Sequence, residues 1–248
     1  MRNSFEKTSG HTAARRDAEL DRIAWPPLLQ VVMLGLLAFG VTGCASWRSA
    51  DAPMYTQTDA SRCTLHADTL LVLLPGVYSQ PEEFVREGFV RAVHDARLAV
   101  DLVRVDAHLN YYERKTFVAR LHQDVIAPAQ ARGYRAIWIA GISLGGFGGL
   151  IYAKEHPSDV AGLVALAPYL GEATIWPWLN GYADGAPGHP PLYLGYGKAD
   201  RFAPSNGLLA AKLPPSQVFT TDGGHDWAPW LRLWKAMLPT LPLPRCPT

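Results

Sequence analysis

Gly141-Ile142-Ser143-Leu144-Gly145 sets a serine between two glycines, at the point where a short apolar run gives way to a helical pattern. Upstream, Tyr134-Arg135-Ala136-Ile137-Trp138-Ile139-Ala140 is rich in β-branched and aromatic residues and predicts a buried strand. Downstream, residues 146–155 predict a helix. In a G-x-S-x-G turn the glycines let the backbone pass close to its neighbours, and the serine hydroxyl stands exposed at the helix N-terminus. Free N–H groups and the helix dipole favour negative charge there, which is the charge acyl transfer generates. The chemistry on offer is nucleophilic attack on a carbonyl carbon. An ordinary turn is the alternative, since Gly and Ser are common turn residues; the flanking strand and helix favour the nucleophile.

A serine so placed needs a scaffold. The chain has 248 residues, 48% of them hydrophobic and 18% charged, with a net charge of +1, which suits one domain with a substantial core. That near-neutral balance, with no basic run interleaved by aromatics, gives no support to nucleic-acid binding. From Thr69 onward, strand and helix patterns alternate. Thr69–Leu74 is a continuous apolar run, as expected of a parallel strand buried on both faces. Pro81-Glu82-Glu83 predicts a helix start. Residues 98–105 read as a strand, and residues 111–131 as one long amphipathic helix with Phe117, Leu121 and Val125 at helical spacing. Strands follow at 160–167, 192–196 and 217–221, with helices near 205–211 and 227–238. Such alternation predicts an α/β fold, a mostly parallel sheet with helices on both faces.

Over nearly all of residues 69–240 this pattern resembles the α/β-hydrolase superfamily of serine esterases and lipases. Three segments besides the elbow carry the resemblance. Leu74-Pro75-Gly76-Val77-Tyr78 ends the first strong strand, where the family supplies one backbone N–H of its oxyanion hole, usually after a His-Gly pair. Pro75 stands in place of that histidine, while Gly76 keeps the freedom to turn. The resemblance implies that the N–H groups of Val77 and Leu144 bind the oxyanion; a plain strand-ending Pro-Gly turn is the alternative. Gly195-Tyr196-Gly197-Lys198-Ala199-Asp200-Arg201-Phe202-Ala203-Pro204 resembles the acid-bearing loop and implies Asp200, with Glu172, Asp222 and Asp226 as rivals. Thr220-Thr221-Asp222-Gly223-Gly224-His225-Asp226-Trp227 lies between the last strand and the last helix, where the family carries its histidine, here His225. Ser143, Asp200 and His225 follow the Ser…Asp…His order of this fold.

What the resemblance implies is a serine hydrolase that cleaves a small-molecule acyl ester through a covalent acyl-enzyme. A thioesterase or acyltransferase would share the same triad. The reading from another class is a non-catalytic cell-envelope lipoprotein that reuses the fold as a binding module. The segment where the family inserts its lid, about 169–190, is short and holds Tyr169, Trp176, Trp178 and Tyr182, which could line an acyl pocket or cover the sheet edge. Trp227, Trp230 and Trp234 recur at helical spacing and read as packing, except that Trp227 adjoins His225. His94 and His122 fall on predicted helices, His156 precedes Pro157 at a helix end, and His66, His108 and His189 sit in predicted loops. No two have metal-ligand spacing with a carboxylate, so the sequence indicates no metal site. The Gly-rich stretches follow neither phosphate-loop nor dinucleotide patterns, so no cofactor is indicated.

The N-terminus carries a different signal. Arg15, Arg16 and Arg22 precede an apolar run from Leu28 to Gly40, then Val41-Thr42-Gly43-Cys44. This resembles a bacterial lipoprotein signal peptide, residues 1–43. It implies that Cys44 carries diacylglycerol and becomes the first residue, anchoring the protein to a membrane. The run is shorter than the roughly 20 residues a membrane span requires, which weighs against the alternative of a transmembrane anchor. Ala45 after the cysteine resembles lipoproteins sorted to the outer membrane, here facing the periplasm. Residues 44–66 read as a polar tether and 67–248 as the hydrolase-like domain. Cys63 and Cys246 bracket that domain; in an oxidising compartment they predict a disulfide, with two buried free thiols as the alternative. No protein partner is indicated.

Overall fold

A computed structural model describes residues 48–247; the expected signal peptide and Cys44, the expected lipid-attachment residue, lie outside the described residues. A seven-stranded sheet runs through this unit: β1 (Thr56–Asp59), β2 (Thr69–Leu74), β3 (Asp101–Val105), β4 (Ala136–Ile142), β5 (Gly162–Leu166), β6 (Leu192–Gly197) and β7 (Val218–Thr221), in the order β1-β3-β2-β4-β5-β6-β7. All neighbours are parallel except β1, which pairs antiparallel with β3. The helices are α1 (Glu83–Arg86), α2 (Phe89–Asp95), α3 (Leu109–Glu113), α4 (Phe117–Leu121), α5 (Ala127–Ala131), α6 (Leu144–Glu155), α7 (Trp176–Asn180), α8 (Ala203–Ala210) and α9 (Trp227–Met237).

The two-residue period of a strand sorts the apolar runs into two cores. Leu70, Val72 and Leu74 of β2, with Ile137 and Ile139 of β4, join one cluster with Phe117, Leu121, Leu150 and Leu209 of the helices on that face. Leu71 and Leu73, with Trp138, Ala140 and Ile142, join the other, against Phe84, Phe89, Leu233 and Trp234. Every residue of β2 is buried, as its unbroken apolar run predicts.

The structure departs from the sequence reading at two elements. The segment predicted as a tether contains β1, and Ala50 and Met54 before it are buried, so the folded unit extends upstream of residue 67. The strand Thr56-Gln57-Thr58-Asp59 is polar because backbone pairing to β3, rather than apolar packing, holds it. Its side chains serve Arg104 of β3, which is buried and donates to Asp59 at 2.7 Å, to Gln57 and to the Pro81 carbonyl at 3.1 Å. The predicted helix over 111–131 is also interrupted. Lys115, at φ 58°, ends α3, and a π-helical segment, His122–Ile126, separates α4 from α5. Phe117, Leu121 and Val125 nonetheless share the buried face expected of them.

Cys63 and Cys246 form a disulfide across 183 residues of sequence, beside an isolated bridge between Leu98 and Arg245. Closing so long a loop restricts the unfolded chain far more than the folded one. Replacing both cysteines by serine is expected to cost about 2–5 kcal/mol, which for a domain of this size lowers Tm by roughly 5–15 °C in a calorimetric scan.

Candidate active site

Ser143 sits between β4 and α6 at φ 53°, ψ −112°, a strained conformation for a residue with a side chain. The backbone around it has no room for a Cβ. One placed on Gly145 would lie 2.3 Å from the Leu74 carbonyl oxygen and 2.5 Å from that of Pro75, and one on Gly141 would lie 2.2 Å from the Gly145 oxygen. The elbow therefore closes only with glycine at both flanks. Its geometry is held by hydrogen bonds from Ser143 N–H to the Leu166 carbonyl at 2.9 Å and from Phe147 and Tyr169 N–H to the Ser143 carbonyl at 3.1 and 3.0 Å.

The three residues singled out in sequence meet here. His225 Nε2 is 2.9 Å from Ser143 Oγ, and His225 Nδ1 is 2.8 Å from Asp200 Oδ2. Nδ1–H donates to the carboxylate, which leaves Nε2 to accept the serine proton. The Asp200 side chain is fully enclosed, and its second oxygen accepts from Phe202 N–H at 2.8 Å. A further close approach sets the acid and histidine loops against each other. A Cβ on Gly197 would lie 2.3 Å from the Gly223 oxygen, and Ala199 N–H donates to that same oxygen at 3.1 Å.

The rival acids do other things. Asp226 caps α9, accepting from Trp227 N–H at 2.7 Å. Asp222 is exposed and pairs with Lys198 at 3.3 Å, and Glu172 precedes the 3₁₀ turn Ala173–Ile175 at the rim of the cavity.

Ser143 and Leu144 open into a cavity of about 620 Å³, and Val77 lines the same space. Leu144 is the first residue of α6, so its N–H has no acceptor within the helix. The strand-ending loop that carries Val77 runs beside the serine: a Cβ on Gly76 would lie 3.5 Å from Ser143 Cβ. The inner wall is apolar, built from Phe117, Val118, Phe147, Ile151 and Ile175, and charged side chains such as Glu113, Lys154 and Arg201 gather toward the rim. Its size is that of a small-molecule site.

Burial pushes the His225 imidazole below its ordinary value and Arg201 adds to that, while the hydrogen bond and charge of Asp200 oppose the shift. The ring stands edge-on between Phe202, at 5.0 Å, and Trp230, at 4.8 Å. These two rings were not singled out from sequence as neighbours of the site. Trp227, which adjoins His225 in the chain, instead packs against Phe84 and Phe89. The helical spacing held the signal: Asp226 caps α9, Trp227 faces Phe84 and Phe89, and Trp230, one turn on, meets the imidazole edge-on. Of the four aromatics in the lid segment, Tyr169 lines the cavity, while Trp176, Trp178 and Tyr182 pack on the core.

No family model matches this sequence, and no curated protein matches it. Solved structures do. Est1E from Butyrivibrio proteoclasticus with ferulic acid bound is similar over 75% of this chain and 93% of its own, at 16% identity and a TM-score of 0.57. A predicted CIB-like hydrolase from Thermoplasma acidophilum is similar over 76% of this chain and 100% of its own, at 16% identity and a TM-score of 0.56. S-formylglutathione hydrolase (FrmB) from Staphylococcus aureus is similar over 69% and 80%, at 18% identity and a TM-score of 0.53. This chain has the α/β-hydrolase fold.

In the α/β-hydrolase fold the strand-to-helix turn presents the serine, and here that turn has no slack. Gly145→Ala must push apart two backbones rather than a flexible side chain. It is expected to destabilise the domain by about 3 kcal/mol or more, read as a fall in the urea midpoint with little change in slope.

Proposed function

We propose that this protein is a serine hydrolase that cleaves carboxylic esters through an acyl-enzyme on Ser143. The observation that carries the reading is the hydrogen-bonded line from Ser143 through His225 to enclosed Asp200, at 2.9 and 2.8 Å, with Ser143 opening into a largely apolar cavity. A binding module would have no physical need for that alignment. Structurally similar proteins bearing the name hydrolase support it further.

The steps follow from the geometry. Ser143 Oγ attacks the ester carbonyl carbon as His225 Nε2 takes its proton; the tetrahedral oxyanion is received by the N–H groups of Val77 and Leu144. The imidazolium, held and stabilised by Asp200, gives the proton to the leaving alcohol. Water then attacks the acyl-enzyme with the same base, releasing the acid and the free serine. The apolar wall at Phe117, Phe147 and Ile151 seats a hydrocarbon or aromatic portion of the substrate.

The protein works in the bacterial cell envelope, lipid-anchored through Cys44, in the outer membrane facing the periplasm. The leader pattern ending at Cys44 supports the anchor, and the Cys63–Cys246 disulfide fits an oxidising compartment.

The full chain, purified in detergent from a bacterial host, tests both parts by mass spectrometry after treatment with a fluorophosphonate. One adduct on Ser143 is expected, absent from Ser143→Ala, which also loses at least ~10⁴-fold in ester hydrolysis. Cys44 is expected as the N-terminal residue bearing lipid. A folded chain with an unlabelled Ser143 would overturn the hydrolase reading, and an intact, unlipidated leader would overturn the anchor. The state of His225 fixes the pH profile. The imidazole must be neutral to act as base, and burial favours its neutral form, so activity is retained as pH falls until the lowered value is crossed. The acid limb of kcat/KM is expected at an apparent pKa below 6.5, the ordinary imidazole value.

A further inference from the structure

The end of α6 opposite Ser143 carries a second cluster of chemically capable groups. His122 opens the π-helical segment, His156 follows the last residue of α6, and Asp159 ends the 3₁₀ turn Pro157–Asp159. Sequence spacing gave no hint of it, because His122 lies on a different element from the other two. Asp159 Oδ2 is 3.5 Å from His122 Nδ1 and 3.7 Å from His156 Nδ1. One ligand atom from each of the three residues lies within 4.8 Å of the others.

These spacings have a direct reading in coordination chemistry. Two ligand atoms held about 2.0–2.1 Å from one Zn²⁺ at the tetrahedral angle stand about 3.3–3.4 Å apart. The two carboxylate–imidazole separations exceed that by a few tenths of an ångström, and the imidazole pair is held within 4.8 Å, so the rings must draw together to close the site. We propose that His122, His156 and Asp159 form a three-ligand site for a late first-row divalent cation, with Zn²⁺ as the ion that suits two imidazoles and a carboxylate and water in the fourth position.

Two features of the surroundings support it, and one sets a condition. The carboxylate is already oriented: Tyr152 Oη–H donates to Asp159 Oδ2 at 2.9 Å, and Gln130 Nε2–H donates to Oδ1 at 3.1 Å. Such outer partners are what fix a metal-ligating carboxylate. The imidazoles lie with centroids 4.9 Å apart and planes 11° apart, so one ring must rotate for both in-plane lone pairs to meet at one ion. Both imidazoles are about one-third exposed while the Asp159 side chain is 17% exposed, which leaves an entry path from solvent to a mostly enclosed anionic ligand. The π-helical segment contributes as well, since its wider turn shifts the register in which His122 leaves the helix.

Binding needs one rearrangement of protons. Without an ion, His122 Nδ1–H can donate to Tyr152 Oη at 3.0 Å. On binding, the neutral ring carries its proton on Nε2, Nδ1 turns its lone pair to the cation, and Tyr152 keeps its donation to Asp159. No proton is lost in this exchange of tautomers. The twelve residues of α6 put the cluster about 18 Å from Ser143, so the ion serves as a clamp between helices and takes no part in attack on the ester.

The test is titration of ZnCl₂ into the full chain, stripped with chelator and held in detergent, followed by calorimetry and thermal unfolding. One ion per chain is expected, with a Kd in the micromolar range or below. Tm should rise by roughly 5–10 °C at a hundredfold excess over Kd. His122→Asn with His156→Asn should weaken binding at least ~100-fold and abolish the zinc-dependent Tm shift, while far-UV circular dichroism stays that of the unaltered chain. Tyr152→Phe, which keeps all three ligands, should weaken binding ~10-fold. Zinc binding unchanged by the double substitution would overturn the proposal, as would the absence of any Tm shift in the unaltered chain. Co²⁺ gives a readout needing no variant: strong visible d–d bands report the tetrahedral site, and only the weak bands of octahedral Co²⁺ would count against it.

Discussion

The structure turns on a contact between backbones. Where β4 ends and α6 begins, the Gly145 backbone lies against the carbonyls of Leu74 and Pro75, and Gly141 lies against Gly145, at distances no Cβ could tolerate. This approach forces Ser143 into a conformation that costs on the order of 1–3 kcal/mol. It also does three things at once. It lifts the hydroxyl clear of the sheet, aims the first N–H of α6 at the same space, and brings the loop carrying Val77 alongside. The strain is contained by three backbone hydrogen bonds: Ser143 N–H donates to the Leu166 carbonyl, and the Ser143 carbonyl accepts from Phe147 and Tyr169.

A second such approach disciplines the partners of that serine. The backbones at Gly197 and Gly223 meet at a distance that again excludes a side chain, locking the loop bearing Asp200 to the one bearing His225. An enclosed carboxylate left unpaired would cost several kcal/mol, so its two oxygens are each committed, one to the imidazole and one to the Phe202 amide. The Phe202 and Trp230 rings complete the enclosure. They dry the imidazole and thereby favour its neutral form, which is the form that can accept a proton.

Residues that announce themselves by local pattern were legible in the sequence. The unbroken apolar runs of β2 and β4 specify buried parallel strands because both of their faces must be covered. The glycine-flanked serine between a strand and a helix specifies a turn that few other residue types could form. What stayed hidden depends on partners distant in sequence. Strand β1 is polar, and only its pairing with β3 and with Arg104 makes it a strand. The breaks around Lys115 and His122 keep Phe117, Leu121 and Val125 on one buried face, so the apolar period carries no mark of them. Phe202 and Trp230 reach His225 only because two loops and a helix cap fold as they do.

Helix α6 joins these arguments. Gly145, Gly146, Gly148 and Gly149 form its buried side and allow it to settle close on its neighbours: a Cβ on Gly148 would lie 2.4 Å from Tyr112 Oη, and one on Gly149 would lie 3.1 Å from Ile139 Cγ2. In helix propensity each of these glycines costs about 1 kcal/mol relative to alanine, so the segment would be a poor helix by itself. External packing must hold it, and its two ends are held differently. The N-terminus is gripped by the strand ends that create the elbow. The C-terminus is tied by Tyr152, Asp159 and His122, which link α6 and the turn after it to the π-helical segment. One helix thus has its catalytic end fixed by backbone contact and its far end by a polar side-chain network.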